Sequence, residues 1–198
     1  MAHLVEKRIR KSSRSRGERF RGHHRFEHWY VDNQVYFITA RCRDRYRAFG
    51  NEQAKDIFWD RFQHYTEHAG FFPWVTSLLD NHYHTVRYLR EGIQLKTMMQ
   101  RLHGSVAKLV NDLLPQRRAE FWRDTKGREY IDGCVRDARQ CQLAYRYTLT
   151  QSVRHSICTD YRDYPHTRIN VALDRGLSRA VALGAFLENV PYTRYECL

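Results

Sequence analysis

Residues 74–89 constrain the fold more than any other stretch. Trp74-Val75-Thr76-Ser77-Leu78-Leu79 and His82 to Leu89 are rich in β-branched and aromatic residues, and only Asp80 and Asn81 stand between them. Two such runs joined by a short turn are expected to pair as an antiparallel hairpin, with Asn81 as a turn residue. Alternate side chains of a strand share a face, so His82 and His84 point the same way, roughly 6–7 Å apart along the backbone. Two imidazoles at that spacing can close on one metal ion and leave coordination positions open for a phosphate. A pair of solvent-facing histidines on an edge strand has the same spacing, and the rest of the chain has to decide.

The elements around the hairpin follow a simple order. Val35-Tyr36-Phe37-Ile38-Thr39-Ala40 reads as a first strand. Asn51 is placed to cap a helix that runs to about His68, with Ile57, Phe58, Phe62 and Tyr65 on one face; Gly70 and Pro73 stop it. After the hairpin, Leu95, Met98, Met99, Leu102, Val106, Leu109, Val110 and Leu113 repeat at helical spacing up to Pro115. Phe121-Trp122-Arg123 and Glu129 to Cys134 read as two short strands turning at Lys126-Gly127. Strand, helix, strand, strand, helix, strand predicts an α+β ferredoxin-like sandwich, one antiparallel sheet with helices on one face and the histidine pair on a central strand. Asp137 then starts a further helix to about Cys158. Its buried side is expected to be Tyr145, Leu149, Val153 and Ile157; a second row, Tyr147, Gln151 and His155, lies roughly 200° around the axis. In isolation that second row reads as an ordinary surface row.

Charge narrows the partner. The chain of 198 residues carries a formal net charge of +12, and aromatics make up 14%. Cations that meet phosphates, mixed with rings that stack on unpaired bases, suit a nucleic acid. Nine of the cations, Lys7, Arg8, Arg10, Lys11, Arg14, Arg16, Arg19, Arg21 and Arg25, lie in a Ser- and Gly-containing segment too poor in apolar residues to fold alone. Residues 1–27 are therefore expected to be a basic, flexible arm that orders on a phosphate backbone, ahead of a domain over 28–170. For 171–198 the sequence offers one weak amphipathic pattern, Leu177, Val181 and Phe186, and no role. No apolar run long enough for a membrane span and no signal-peptide core is present, which points to the cytoplasm and away from a membrane. Cys42, Cys134, Cys141, Cys158 and Cys197 never fall in C-x-x-C spacing and read as reduced thiols.

From about Tyr36 to Thr167 the sequence resembles the HUH transposases with a single catalytic tyrosine, which include the REP-associated tyrosine transposases. The likeness is carried by Tyr36-Phe37-Ile38-Thr39, Asn81-His82-Tyr83-His84, Leu102-His103-Gly104-Ser105 and Phe121-Trp122. It continues through Tyr145-Arg146-Tyr147-Thr148-Leu149-Thr150-Gln151-Ser152-Val153-Arg154 and ends at Asp163-Tyr164-Pro165. The Met-Pro often found before the family's Asn-His is Leu79-Asp80 here. The Asn-Pro that follows the tyrosine in many REP-associated members is Gln151-Ser152, nearer to the insertion-sequence branch.

The resemblance implies a metal-dependent endonuclease and strand transferase acting on single-stranded DNA that bears hairpins. It makes His82, His84 and Gln151 the ligands of Mg²⁺ or Mn²⁺ and Tyr147 the nucleophile, forming a 5′-phosphotyrosine link. Tyr145 is the rival nucleophile, and His155 is a candidate to assist proton movement. Homodimers and monomers are both assemblies the resemblance allows. Two other readings compete. A non-catalytic RNA- or DNA-binding protein would have the same charge and aromatics. His64-Tyr65-Thr66-Glu67-His68 matches the inverted zinc-protease pattern on a helix.

Overall fold

The computed structural model describes residues 9–11, 29–135 and 137–170, with the backbone alone for 9–11 and 29. The first strand, β1 (Ile9–Lys11), pairs antiparallel with β2 (Trp29–Val31) in a two-stranded ribbon. β1 falls inside the stretch read as a flexible arm. Arg10 and Lys11 belong to it; Lys7, Arg8, Arg14, Arg16, Arg19, Arg21 and Arg25 lie outside the described residues, as does the segment 171–198.

The remaining elements, in chain order, are β3 (Gln34–Arg41), α1 (Glu52–His68), β4 (Phe71–Leu78), β5 (His82–Leu89) and α2 (Gln94–Asn111). They are followed by β6 (Ile131–Cys134), α3 (Ala138–Leu149), a single turn α4 (Gln151–Arg154) and β7 (Thr167–Ile169). β3 to β7 form one antiparallel sheet in the order β6-β3-β5-β4-β7. β3 and β4 run parallel with β5 between them, as do β5 and β6 around β3, so α1 and α2 are the crossovers of a split βαβ pair. That is the α+β sandwich expected, with β7 added at the edge.

Local chemistry places the helices. The Asn51 side chain accepts a hydrogen bond from the Ala54 N–H at 2.8 Å, satisfying one of the orphan donors at the start of α1. Gly70, at φ +64°, ends α1 in the left-handed region where a Cβ would be strained. α1 and α2 then cover one face of the sheet. Tyr36, Ile38, Ala40, Tyr83 and Leu89 point from the strands into a core shared with Phe49, Phe58, Phe62, Leu95, Met99, Leu102 and Trp122. Aromatic rings dominate it; Phe58 and Tyr83 lie 4.9 Å apart, Phe49 and Trp122 5.6 Å.

Two expectations are corrected and one is extended. α1 and α2 share one face as expected, and the later helix α3 takes the other. Ala144, Tyr145 and Leu149 of α3 pack on Val75 and Val86, which point to the side of the sheet opposite Tyr83. Phe121-Trp122-Arg123 is not a strand; it makes one bridge, Cys42 to Trp122, and the Phe121 and Trp122 rings are buried in the first core. Burial, not strand pairing, is what its aromatic residues serve. Nor is the helix from Asp137 continuous. It breaks at Thr150 (φ −94°, ψ 14°), whose hydroxyl donates back to the Arg146 carbonyl at 2.9 Å, a bond that competes with regular helix geometry. The helical segment also ends at Arg154, short of Cys158, so Tyr145 and Leu149 are buried while Ile157, beyond its end, is exposed.

Candidate functional site

β5 is a central strand, and its two histidines project from the face covered by α3. Pairing Thr39↔His84 and Ser77↔His84 centres His84 in the sheet, with His82 one repeat nearer its end. Both rings are buried, 4% and 2% exposed, which removes the solvent-facing reading. Their centroids are 5.1 Å apart and near perpendicular.

Each ring is fixed by the nitrogen that faces away from the gap between them. The Asn81 amide nitrogen donates to the Arg45 carbonyl at 3.0 Å, which turns its oxygen toward His82 Nδ1 at 2.6 Å. That oxygen can only accept, so Nδ1 carries the proton and Nε2 keeps its lone pair. Thr39 Oγ1 lies 2.7 Å from His84 Nδ1 and fixes the orientation of the second ring. Asn81 is thus an orienting residue as well as a turn residue. Thr39 sits 45 positions away in the sequence and becomes visible only through the β3–β5 register.

Burial also keeps both rings neutral. Desolvation, helped by Arg41 and His155, pulls His82 down to about 4. Desolvation and the neighbouring His82, Arg41, His155 and Arg154 hold His84 well below the ordinary imidazole range. Neutral imidazoles can give a ring-nitrogen lone pair to a metal ion.

The row Tyr147, Gln151 and His155, expected at the surface, faces this pair. The Tyr147 ring stands edge-on to His84 at 5.1 Å and to Phe37 at 6.0 Å. Gln151 is 1% exposed; its Nε2 donates to the Tyr147 carbonyl across the helix break at 2.9 Å, and the side chain also hydrogen-bonds His82. The tyrosine and the amide, four residues apart, thus lie on one side of the α3–α4 segment and belong to one site. The exposed His155 ring stacks edge-on to His82 at 5.2 Å and is held below its usual range by partial burial, then by Arg154 and Arg41. The Arg154 guanidinium lies over the Tyr147 ring at 4.9 Å. Tyr145, by contrast, is 2% exposed in the apolar cluster with Val75 and Val86.

No group of three or more His, Cys, Asp or Glu able to hold a metal occurs among the described residues. The set His82, His84 and Gln151 is two imidazoles and a neutral amide. With both Nδ1 atoms engaged and both rings neutral, this set fits a divalent cation with mixed nitrogen and oxygen ligation. His64 and His68, of the zinc-protease pattern, are exposed together with Glu67, and His68 Nδ1 is bonded to the His64 carbonyl at 2.6 Å. They gather no third ligand among the described residues.

No family model and no curated protein matches the chain. Among solved structures it is similar to a REP-associated tyrosine transposase bound to a REP hairpin. The identity is 15% and the TM-score 0.59, over 92% of this chain and 96% of that one. It is also similar to a proposed transposase from Deinococcus radiodurans R1, at 15% identity and a TM-score of 0.41 over 70% of this chain and 97% of that one. The first likeness establishes a shared fold. No described helix is long and apolar enough to cross a membrane.

Proposed function

We propose that this chain is a metal-dependent transposase of the single-tyrosine HUH type, which nicks and rejoins single-stranded, hairpin-bearing DNA in the cytoplasm. One observation carries the reading: Tyr147, His84, His82 and Gln151, drawn from β5 and from both sides of the break between α3 and α4, converge on one point. The shared fold of a transposase bound to a REP hairpin supports it.

His82 and His84, through Nε2, and the Gln151 amide would hold Mg²⁺ or Mn²⁺. When bound, the ion supplies Lewis-acid stabilisation of the charge that builds on a scissile phosphate. The rest of the chemistry belongs to the chain. The Tyr147 phenol attacks phosphorus, a P–O bond to Tyr147 forms, and the bond to the 3′-oxygen breaks. The proton lost from the phenol is matched by one gained at the departing 3′-hydroxyl. In this reading His155, beside His82, carries it. Because the phosphodiester energy is kept in the 5′-phosphotyrosine, a second 3′-hydroxyl can reverse the step and join a new strand. Arg154 and Arg41 add positive potential where the phosphate arrives. The arm cations Lys7 to Arg25 are assigned to the DNA backbone, and the assembly to a homodimer or a monomer.

The test uses hairpin oligonucleotides from the DNA flanking the gene, labelled at the 3′ end and incubated with protein and Mn²⁺ or Mg²⁺. Label that migrates with the protein on a denaturing gel, and disappears with chelator and in Tyr147→Phe, is the expected result. Persistence in Tyr147→Phe moves the nucleophile to Tyr145. Tight binding with no adduct leaves a non-catalytic nucleic-acid-binding protein.

A further inference from the structure

A cavity of about 490 Å³ opens on the histidine face of the sheet, directly beside the site. His84 and Tyr147 form one end of it. Phe37 and Val135 line it from the sheet side, and Leu143 from α3. Its floor includes Gly133 of β6, paired with Phe37, where an added Cβ would meet nothing within 4 Å. Most of its exposed wall is apolar, with Asp124, Glu129 and Asp132 set against Arg41, Lys126 and Arg128 among the charged residues of the lining, and the size falls within the range of small-ligand sites.

A second groove, of about 510 Å³, adjoins the first and shares Arg41, Asp124, Thr125 and Lys126 with it. It is lined by five cations (Arg41, Arg43, Arg45, Arg123 and Lys126) against two carboxylates (Asp44 and Asp124). Glu120 engages Arg43 and Arg123 from one side, and Asp124 is engaged by Arg128. An apolar slot for a flat group beside a cationic groove is complementary to one kind of ligand, a strand of phosphates with unpaired bases.

We propose that the cavity is a nucleobase pocket. It takes one unpaired base flanking the scissile phosphate, while the arginine groove holds the backbone of the same strand. The inference rests on the reading of Tyr147 and the histidine pair as a phosphoryl-transfer centre, and it adds a specificity-determining subsite to that centre. Gly133 keeps the slot open: a methyl there meets nothing within 4 Å, but a side chain several atoms long grows from the sheet into the space a ring would fill.

The experiment is a binding titration without metal, read by fluorescence anisotropy. The probe is a DNA hairpin from the flanking DNA with a single-stranded tail of about eight nucleotides, replaced one at a time by abasic sites. One abasic position should weaken wild-type binding about tenfold or more, the scale of a lost base–aromatic stack. Gly133→Leu should weaken the intact probe by a similar factor and be indifferent to that same abasic position, while Gly133→Ala binds as wild type. Leu143→Trp, which fills the slot from the helix side, should repeat the Gly133→Leu pattern if that variant melts early. A wild type indifferent to every abasic position, equal losses in the filled variants at all positions, or no binding at all overturns the pocket. Cleavage is not the readout, so the two readings fail separately. A pocket found by the scan with no covalent adduct on any oligonucleotide removes the nicking reading alone, and an adduct without a sensitive position removes the pocket alone.

Discussion

The two faces of β5 are equally dry and differently finished. Toward α1 and α2 it presents Tyr83, Thr85, Arg87 and Leu89, all fully buried; toward α3 it presents His82 and His84, 4% and 2% exposed. On the first face polar groups are mostly closed on one another. Thr85 Oγ1 bonds Thr76 Oγ1 at 2.7 Å, the Tyr83 hydroxyl meets His103 Nε2 at 2.9 Å, and Trp122 Nε1 donates to the His103 carbonyl at 3.1 Å. On the second face the outward nitrogens are tied down, the inward ones converge, and a cavity begins where the packing stops. Burial therefore does not separate structure from function in this strand. What separates them is whether the polar capacity of each side chain is used up by its neighbours.

Substitutions on the two faces should part in the same way. Tyr147→Phe should lower covalent adduct formation by about 10⁴-fold or more, the scale for loss of a nucleophile, while leaving the melting temperature near wild type. Tyr145→Phe should keep the adduct; the opposite pairing in a side-by-side gel would exchange the roles of the two tyrosines. Phe58→Ala, in the closed core, should do the reverse of Tyr147→Phe. It should cost about 3–5 kcal/mol in denaturant unfolding, because a buried ring against Phe49, Phe62 and Tyr83 leaves a large cavity. A folded Phe58→Ala fraction should still form adduct, and failure to do so would show that the two faces are coupled.

A smaller effect is expected at Asn81, which touches His82 and not the open end of the site. Asn81→Ala should weaken Mn²⁺ binding about 10–100-fold by calorimetry, the usual cost of losing the partner that orients a ligand. Unchanged affinity would mean that the His82 ring is held by other contacts.

The smallest effect is expected at Arg87, a group that breaks the pattern of the closed face. Arg87 is fully buried, none of its guanidinium nitrogens has a hydrogen-bond partner, and it rests on the rings of Phe62 and Phe71 at 4.8 and 4.9 Å. Desolvation pulls it down to about 10, so it is still charged at neutral pH. A buried charge with so little compensation is a cost, and Arg87→Met should be neutral or stabilising by about 1 kcal/mol in chemical denaturation. A loss of several kcal/mol would instead show that the two ring contacts outweigh the desolvation.

The legible parts of the molecule were those with a short-range cause. Asn51 and Asp137 cap helices because a side chain three residues from a free N–H needs no distant partner. The hairpin and the alternation that pairs His82 with His84 depend on the period of a strand and on nothing else. The same reasoning failed at Tyr147 and Gln151. A tyrosine and an amide four residues apart look like a surface row on an isolated helix, and the seat of α3 on the sheet puts them against His84 and His82.

By itself, then, the sequence determined the helices α1 and α2, the strands β3 to β6 and their order, and the fact that two imidazoles share a face. Local backbone geometry dictates those things, residue by residue. The tertiary structure alone decided that α3 crosses the histidine face and not the other, and that Thr39 and Asn81 hold the two rings. It also decided that Phe37, Gly133 and Leu143 enclose a cavity beside Tyr147. Each of these depends on the register between strands distant in sequence or on the seat of a helix on the sheet. Those are set by the packing of the whole core, which no local period in the chain encodes.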